Sequence, residues 1–325
     1  MASILVAGGA GYIGSQACKA LAAAGHLPVT LDNLSTGYRE AVRFGPLIEA
    51  DLRDSEAVAE AIRNYHIVGA MHFAACSLVG ESVQNPVKYY ENNVAAAVAF
   101  TAALLANGVK TLIFSSTAAV YGVPQADLIP ETHPASPINP YGATKLAFEQ
   151  ALHWLARSDG LNHTVLRYFN AAGADLDGEI GESHQPETHL IPNVCKAVLG
   201  TAPALNVFGT DYPTADGTAI RDFIHVVDLA DAHIIALERM LGGAAGDTFN
   251  VGTGSGFSVA DVIGATEATL GRPVPRVIGP RREGDPAVLV ADSSKLRTAT
   301  GWTPRHSDLP TIIRTALRWQ EVRTY

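Results

Sequence analysis

The sequence predicts an α/β fold: a doubly wound parallel sheet of the Rossmann type, followed by a smaller α/β C-terminal lobe. Three observations carry this. Strand-like and helix-like segments alternate through the first half of the 325 residues, the rhythm of parallel βαβ units. A glycine turn, Gly8-x-x-Gly11-x-x-Gly14, joins the first apolar run to the first helical pattern. The rhythm then breaks near Gly173, where residues 174–189 become polar and rich in Gly, Asp, Glu and His.

The elements follow in order. Ile4, Leu5 and Val6 form a short apolar run suited to a buried strand over 3–6, and Ile13, Ala17 and Leu21 mark one face of a helix over 12–24. Further strands are expected at 28–31, 47–50, 69–73, 111–114 and 164–167, with helices at 55–65, 86–106 and 141–157. Past the polar loop come a helix at 191–199, a strand at 205–208 and helices at 226–241 and 259–270. A strand at 274–278 and a last helix at 309–319 complete the chain. The expected division is a dinucleotide-binding domain at 1–173 and a mainly substrate-binding lobe at 174–325, partly interleaved with the first.

Composition narrows the function classes. Hydrophobic residues make up 47% and charged residues 17%, which is ordinary globular usage. The net charge of −9 and the absence of a basic block argue against a nucleic-acid partner. No apolar run reaches membrane-spanning length, and the first residues lead straight into a strand, leaving no room for a leader. Cys18, Cys76 and Cys195 share no metal-type spacing. The expectation is a reduced, cytoplasmic, metal-free protein with no nucleic-acid or membrane partner.

The glycine turn implies a ligand. Glycines let the backbone approach a pyrophosphate, and the helix N-terminus adds partial positive charge. Asp32 closes the second strand 18 residues after Gly14. An acidic side chain there accepts hydrogen bonds from the adenine ribose and repels a 2′-phosphate, so NAD is favoured over NADP. Tyr141 and Lys145 stand four apart, on one face of a helix that Asn139-Pro140 can start. An ammonium beside a phenol favours the phenolate, giving a proton acceptor usable near neutral pH. Ser115, Ser116 and Thr117 end the fifth strand and are expected to face the cofactor crevice.

These residues sit in longer blocks: GGAGYIG at 8–14, LDNLS at 31–35, HFAA at 72–75, VGESVQNP at 79–86 and YYENNV at 89–94. FSSTAAVYG at 114–122, SPINPYGATK at 136–145 and LRYFNAAGA at 166–174 continue them, and 208–233 and 280–292 extend them into the second lobe. With these blocks the chain resembles the extended short-chain dehydrogenase/reductase family. Within it, the chain is similar to the UDP-glucose 4-epimerases over essentially its whole length.

The resemblance implies interconversion of UDP-glucose and UDP-galactose by transient oxidation at sugar C4, with NAD tightly bound. Tyr141 would be the base, Lys145 would hold the nicotinamide ribose and lower the tyrosine pKa, and Thr117 would relay the proton of the sugar hydroxyl. The cofactor would lie among Gly8, Gly11, Tyr12, Ile13, Gly14, Asp32, Asn33, Asp51, Leu52, Phe73, Ala74, Asn92, Ser115 and Tyr168. Asn170, Leu190, Phe208, Arg221, Arg282 and Asp285 would hold the UDP-sugar, the arginines clamping its diphosphate. Leu289 stands where relatives gauge the sugar pocket, and leucine is intermediate in size. Ser77 replaces a lysine of some relatives, and His189 replaces an asparagine and takes no assigned role. Ala118 and Ala119 stand where the sister 4,6-dehydratases place an Asp-Glu pair. Other UDP-sugars, N-acetylated ones included, remain open as substrates, as does a non-catalytic NAD-sensing role. The alanine-rich helices at 86–106 and 141–157 are expected to pair across a two-fold axis into a homodimer.

Overall fold

The computed structural model describes residues 1–282 and 285–325. Glu283 and Gly284, inside the 280–292 block, lie outside the described residues. The centre is a seven-stranded parallel sheet. Its first six strands in chain order are β1 (Ser3–Ala7), β2 (Leu27–Asp32), β3 (Leu47–Glu49), β4 (Ile67–His72), β5 (Thr111–Thr117) and β6 (Asn162–Tyr168). Their spatial order is 3-2-1-4-5-6, and strand Thr248–Val251 adds the edge beside β6. The order in which strands are added therefore reverses between β1 and β4, the point at which open α/β sheets open a ligand crevice.

Apolar side chains point to both faces because helices cover both. Val58, Phe100, Leu104, Phe148 and Leu152 fill one side, and Ala17, Leu21, Leu229 and Leu237 fill the other. Each fully buried Leu or Phe contributes about 1.5–3 kcal/mol. Helix Val226–Leu241 and strand Thr248–Val251 come from beyond residue 173 yet belong to this layer, with Phe249 opposite Leu166. A separate cluster around Val194, Val198, Ile312 and Ile313 makes the core of the second lobe.

β5 ends in its three hydroxyls, Ser115, Ser116 and Thr117 keeping their ladder with Leu166, Arg167 and Tyr168. Other boundaries differ from the sequence reading. The helical stretch 86–106 is realised as Pro86–Tyr90, a π-helical segment Glu91–Ala96 and Ala97–Ala106. Helix Val79–Gln84, helix Ser294–Thr300 and five strands of two or three residues beyond β6 are too short for periodicity to show. Residues 174–189 carry no helix or strand. Lys19 ties this loop to the first helix, its Nζ donating to Asp175 at 2.9 Å. Among the described residues no helix is long and apolar enough to cross a membrane.

Candidate active site

A cavity of about 1640 Å³ runs over the C-terminal ends of β1, β2, β4 and β5 and into the second lobe. Small-molecule pockets usually measure about 300–1,000 Å³, so this one has room for two nucleotide-sized ligands. Of the site residues expected from sequence, every one lines it except Ser115 and Ser116.

The glycine turn is built for close approach. Gly8 has φ +82°, and a Cβ there would sit 2.5 Å from the Ala74 nitrogen. A Cβ at Gly14 would collide with the Gly8 carbonyl. Gly11 starts helix Tyr12–Ala23 without a side-chain cap, leaving its first amides for a ligand. Asp32 accepts the Ala10 N–H at 3.0 Å and the Leu34 N–H at 2.9 Å, so it also shapes both neighbouring loops. Burial raises its carboxyl above the ordinary value, against the pull of those two amides. At the rim, Asn33 donates to Asp51 at 3.1 Å, and Arg53 draws the Asp51 carboxyl down to about 2. These residues fit a dinucleotide: a backbone cradle for its phosphates and a carboxylate for its ribose.

Thr117, Tyr141 and Lys145 line the same cavity. Asn139 accepts the Gly142 N–H at 2.8 Å and, with Pro140, starts helix Pro140–Asp159. This sets Tyr141 and Lys145 facing the end of β5. Thr117 accepts the Ala119 N–H at 3.1 Å, which turns the chain directly after the strand. Burial raises the Tyr141 pKa, and the Thr117 hydroxyl pulls it down. Lys145, one helical turn on, is anchored against the strand. Its Nζ donates to the Ser115 carbonyl at 2.9 Å and lies 4.9 Å over the Phe114 ring. Burial pushes the Lys145 ammonium down to about 7, with Glu149 and Cys76 pulling it back up.

Ser115 and Ser116 depart from the expectation that they face the crevice. The Ser115 hydroxyl is 3.0 Å from His233 Nε2, and that ring is held by the Leu229 carbonyl 2.9 Å from Nδ1. The Ser116 hydroxyl donates to Glu149 at 2.5 Å. Both side chains are consumed inside the fold, and Ser115 contributes its carbonyl instead. Sequence reading also missed Asn93. It is buried in the π-helical segment, where its Oδ1 accepts the Cys76 N–H at 2.8 Å and its Nδ2 donates to Thr144 at 3.2 Å. An asparagine pair inside an alanine-rich helical run was the available signal, since Asn is a poor helix former.

The second lobe supplies the far wall. Strand Ile220–Arg221 pairs with strand Val288–Leu289, which sets Leu289 opposite Arg221. Arg221 is ion-paired to Asp285, and the Arg282 guanidinium lies 4.1 Å over the Phe208 ring. Tyr12 bridges the two halves, its hydroxyl donating to the Gly173 carbonyl at 2.7 Å.

Comparison with known proteins agrees with this geometry. Residues 4–252 match the model of the NAD dependent epimerase/dehydratase family. The chain is 50% identical to a UDP-glucose 4-epimerase of Rhizobium leguminosarum bv. trifolii, over 98% of this chain and 97% of that one. Its structure superposes on UDP-glucose 4-epimerase from Brucella ovis in complex with NAD, with TM-score 0.95, 46% identity and 98% coverage of both chains. It also superposes on UDP-glucose 4-epimerase from Stenotrophomonas maltophila with bound NAD and formylated UDP-arabinopyranose. There the TM-score is 0.96 and the identity 40%, covering 99% of this chain and 98% of the other. The chain belongs to the NAD dependent epimerase/dehydratase family.

Proposed function

We propose that this chain is an NAD-dependent epimerase that interconverts UDP-glucose and UDP-galactose. The observation that carries the reading is the meeting of Thr117, Tyr141 and Lys145 where a dinucleotide cradle opens into a second, arginine-lined half of the same cavity. Bound NAD supplies the hydride acceptor and donor for sugar C4, so oxidation followed by reduction on the opposite face inverts that centre. Tyr141 takes the 4-hydroxyl proton and returns it, with Thr117 bonded to the same oxygen. Lys145, anchored on the Ser115 carbonyl, reaches the nicotinamide ribose. Arg221 and Arg282 hold the diphosphate, for which a guanidinium fork is well suited. Asp285 takes the uridine ribose and Phe208 flanks the uracil.

Ala118 and Ala119 directly after Thr117 leave no carboxylate to drive elimination, which favours epimerisation over dehydration. The test is incubation with UDP-galactose and no added NAD, followed by product analysis. UDP-glucose is expected, with nucleotide co-purifying; absence of product, or net release of NADH, would remove the reading.

The same reading includes a homodimer built on helices Pro86–Tyr90, Ala97–Ala106 and Pro140–Asp159. Val87, Tyr90 and Trp154 are 64%, 47% and 65% exposed there, an apolar surface suited to a second copy. Light scattering at micromolar concentration should give twice the chain mass, and Trp154→Glu should shift it towards monomer. Free thiols at Cys18, Cys76 and Cys195 suit a reducing cytoplasm, where fractionation should find the protein.

A further inference from the structure

Four side chains of the polar loop face one another at the cavity wall. Glu182, His184, Glu187 and His189 fall within eight residues, and one donor atom of each lies within 4.8 Å of all the others. His184 Nδ1 is 3.1 Å and His189 Nδ1 is 2.5 Å from Glu182 Oε1. The same nitrogens stand 3.9 Å and 3.5 Å from Glu187 Oε1. A tetrahedral ion with bonds of about 2.0–2.1 Å spaces its ligands about 3.3 Å apart, and the four separations straddle that value.

We propose that Glu182, His184, Glu187 and His189 form a binding site for a zinc-class divalent cation. Two imidazoles with two carboxylates suit zinc, whereas magnesium and calcium favour oxygen donors alone. Charge points the same way. The Glu182 and Glu187 side chains are 4% and 5% exposed, and two carboxylates confined together need compensating positive charge. Lys196 supplies one positive charge, its Nζ ion-paired to Glu187 Oε2 at 3.8 Å without a hydrogen bond, against two carboxylates. That buried oxygen has no hydrogen-bond partner. Hydrogen bonds also fix the two glutamates in place. Glu187 Oε1 accepts the N–H groups of Thr188 at 2.9 Å and His189 at 3.0 Å, and the Glu182 carbonyl accepts the Trp319 indole N–H at 2.9 Å.

Four protein donors leave no open coordination position, so the role is structural. The cation clips the loop to helix Leu190–Leu199, which His189 precedes and whose Leu190 and Asn193 line the cavity. This goes beyond the epimerase reading and does not depend on it.

The test uses the whole chain, purified without chelator and dialysed against micromolar zinc. Metal is read by mass spectrometry and bound NAD by extraction. About one zinc per chain is expected, with a melting temperature that falls in chelator and recovers with zinc but not magnesium. His184→Gln and Glu187→Gln should keep their NAD, which reports folding, and lose at least about nine-tenths of the zinc. Two outcomes would overturn the site: less than about a tenth of an equivalent in the parent protein, or variants that hold NAD and as much zinc as the parent. Either would leave the cluster as a hydrogen-bonded network only.

Discussion

The proton-handling corner and the nucleotide clamp hold their charges in opposite ways. Around Tyr141 the polar groups are buried and already fixed by the fold: Lys145 on the Ser115 carbonyl, Ser115 on His233, Ser116 on Glu149. In the second lobe, Arg221 is paired to Asp285 and Arg282 stacks on Phe208, so groups proposed to hold the ligand hold one another. The first region is set before substrate arrives, and fixed dipoles cost no reorganisation at the moment of reaction. The second must exchange internal contacts for ligand contacts, so its net contribution to binding is a difference. Changes in the corner should therefore appear in turnover, and changes in the clamp in affinity.

The largest effect tests the corner. Tyr141→Phe should lower kcat by at least ~100-fold, the lower end for a positioned proton-transfer group. Bound NAD and KM should stay near the parent values, since the phenol hydroxyl closes neither half of the cavity. Steady-state rates with UDP-galactose decide it, and a near-parental rate would remove Tyr141 as the base.

Next comes the clamp. Arg221→Leu should raise KM by roughly 10- to 100-fold, the worth of a charged hydrogen bond, with kcat little changed. Asp285→Asn should cost less, because it also releases Arg221 from its partner. UDP inhibition constants for the two variants make the comparison. An equal or larger loss in Asp285→Asn would mean that the ion pair is not exchanged on binding.

The third test is pH. The proposed base is the Tyr141 phenolate; burial raises the pKa of that phenol while Thr117 lowers it. Rates should therefore climb as pH rises and the phenol loses its proton. Thr117→Val removes the lowering contact, so the rising limb should move to higher pH, whereas Thr117→Ser should leave it in place. Each unit of upward shift costs about tenfold in phenolate at neutral pH. Profiles of kcat/KM for the three proteins would show whether the limb moves.

The smallest effect concerns the sugar. Leu289, set beside Arg221, should admit UDP-N-acetylglucosamine poorly. Leu289→Ser should raise the N-acetyl to plain-hexose ratio of kcat/KM and Leu289→Tyr should lower it, each by roughly tenfold at most. A ratio that stays put would clear Leu289 as the gate.

Much of this site could be read from residues alone, for identifiable reasons. Gly8, Gly11, Gly14 and Asp32 are legible because a backbone cradle and a strand-end carboxylate depend on local chain geometry. Tyr141 and Lys145 are legible because four-residue spacing on a helix forces a shared face. Ser115 shows where such reading stops. Its position at a strand end is a local property, but whether its hydroxyl meets the cavity depends on His233, 118 residues away. The helix at 226–241 was expected, yet its place on the central sheet beside β5 and β6 was not written in its periodicity.

The sequence by itself determined the alternation that makes a parallel sheet, the glycine cradle, the acidic strand end and the Tyr-x-x-x-Lys pair. Each is a short-range pattern, governed by backbone sterics and side-chain periodicity. Only the tertiary structure decided that strand Thr248–Val251 completes the first sheet, that Lys145 rests on a strand carbonyl, and that Arg221 waits on Asp285. It also decided that Glu182, His184, Glu187 and His189 turn inwards together. Those outcomes depend on which buried polar group finds a partner when distant segments close on one another, and spacing along the chain does not encode that choice.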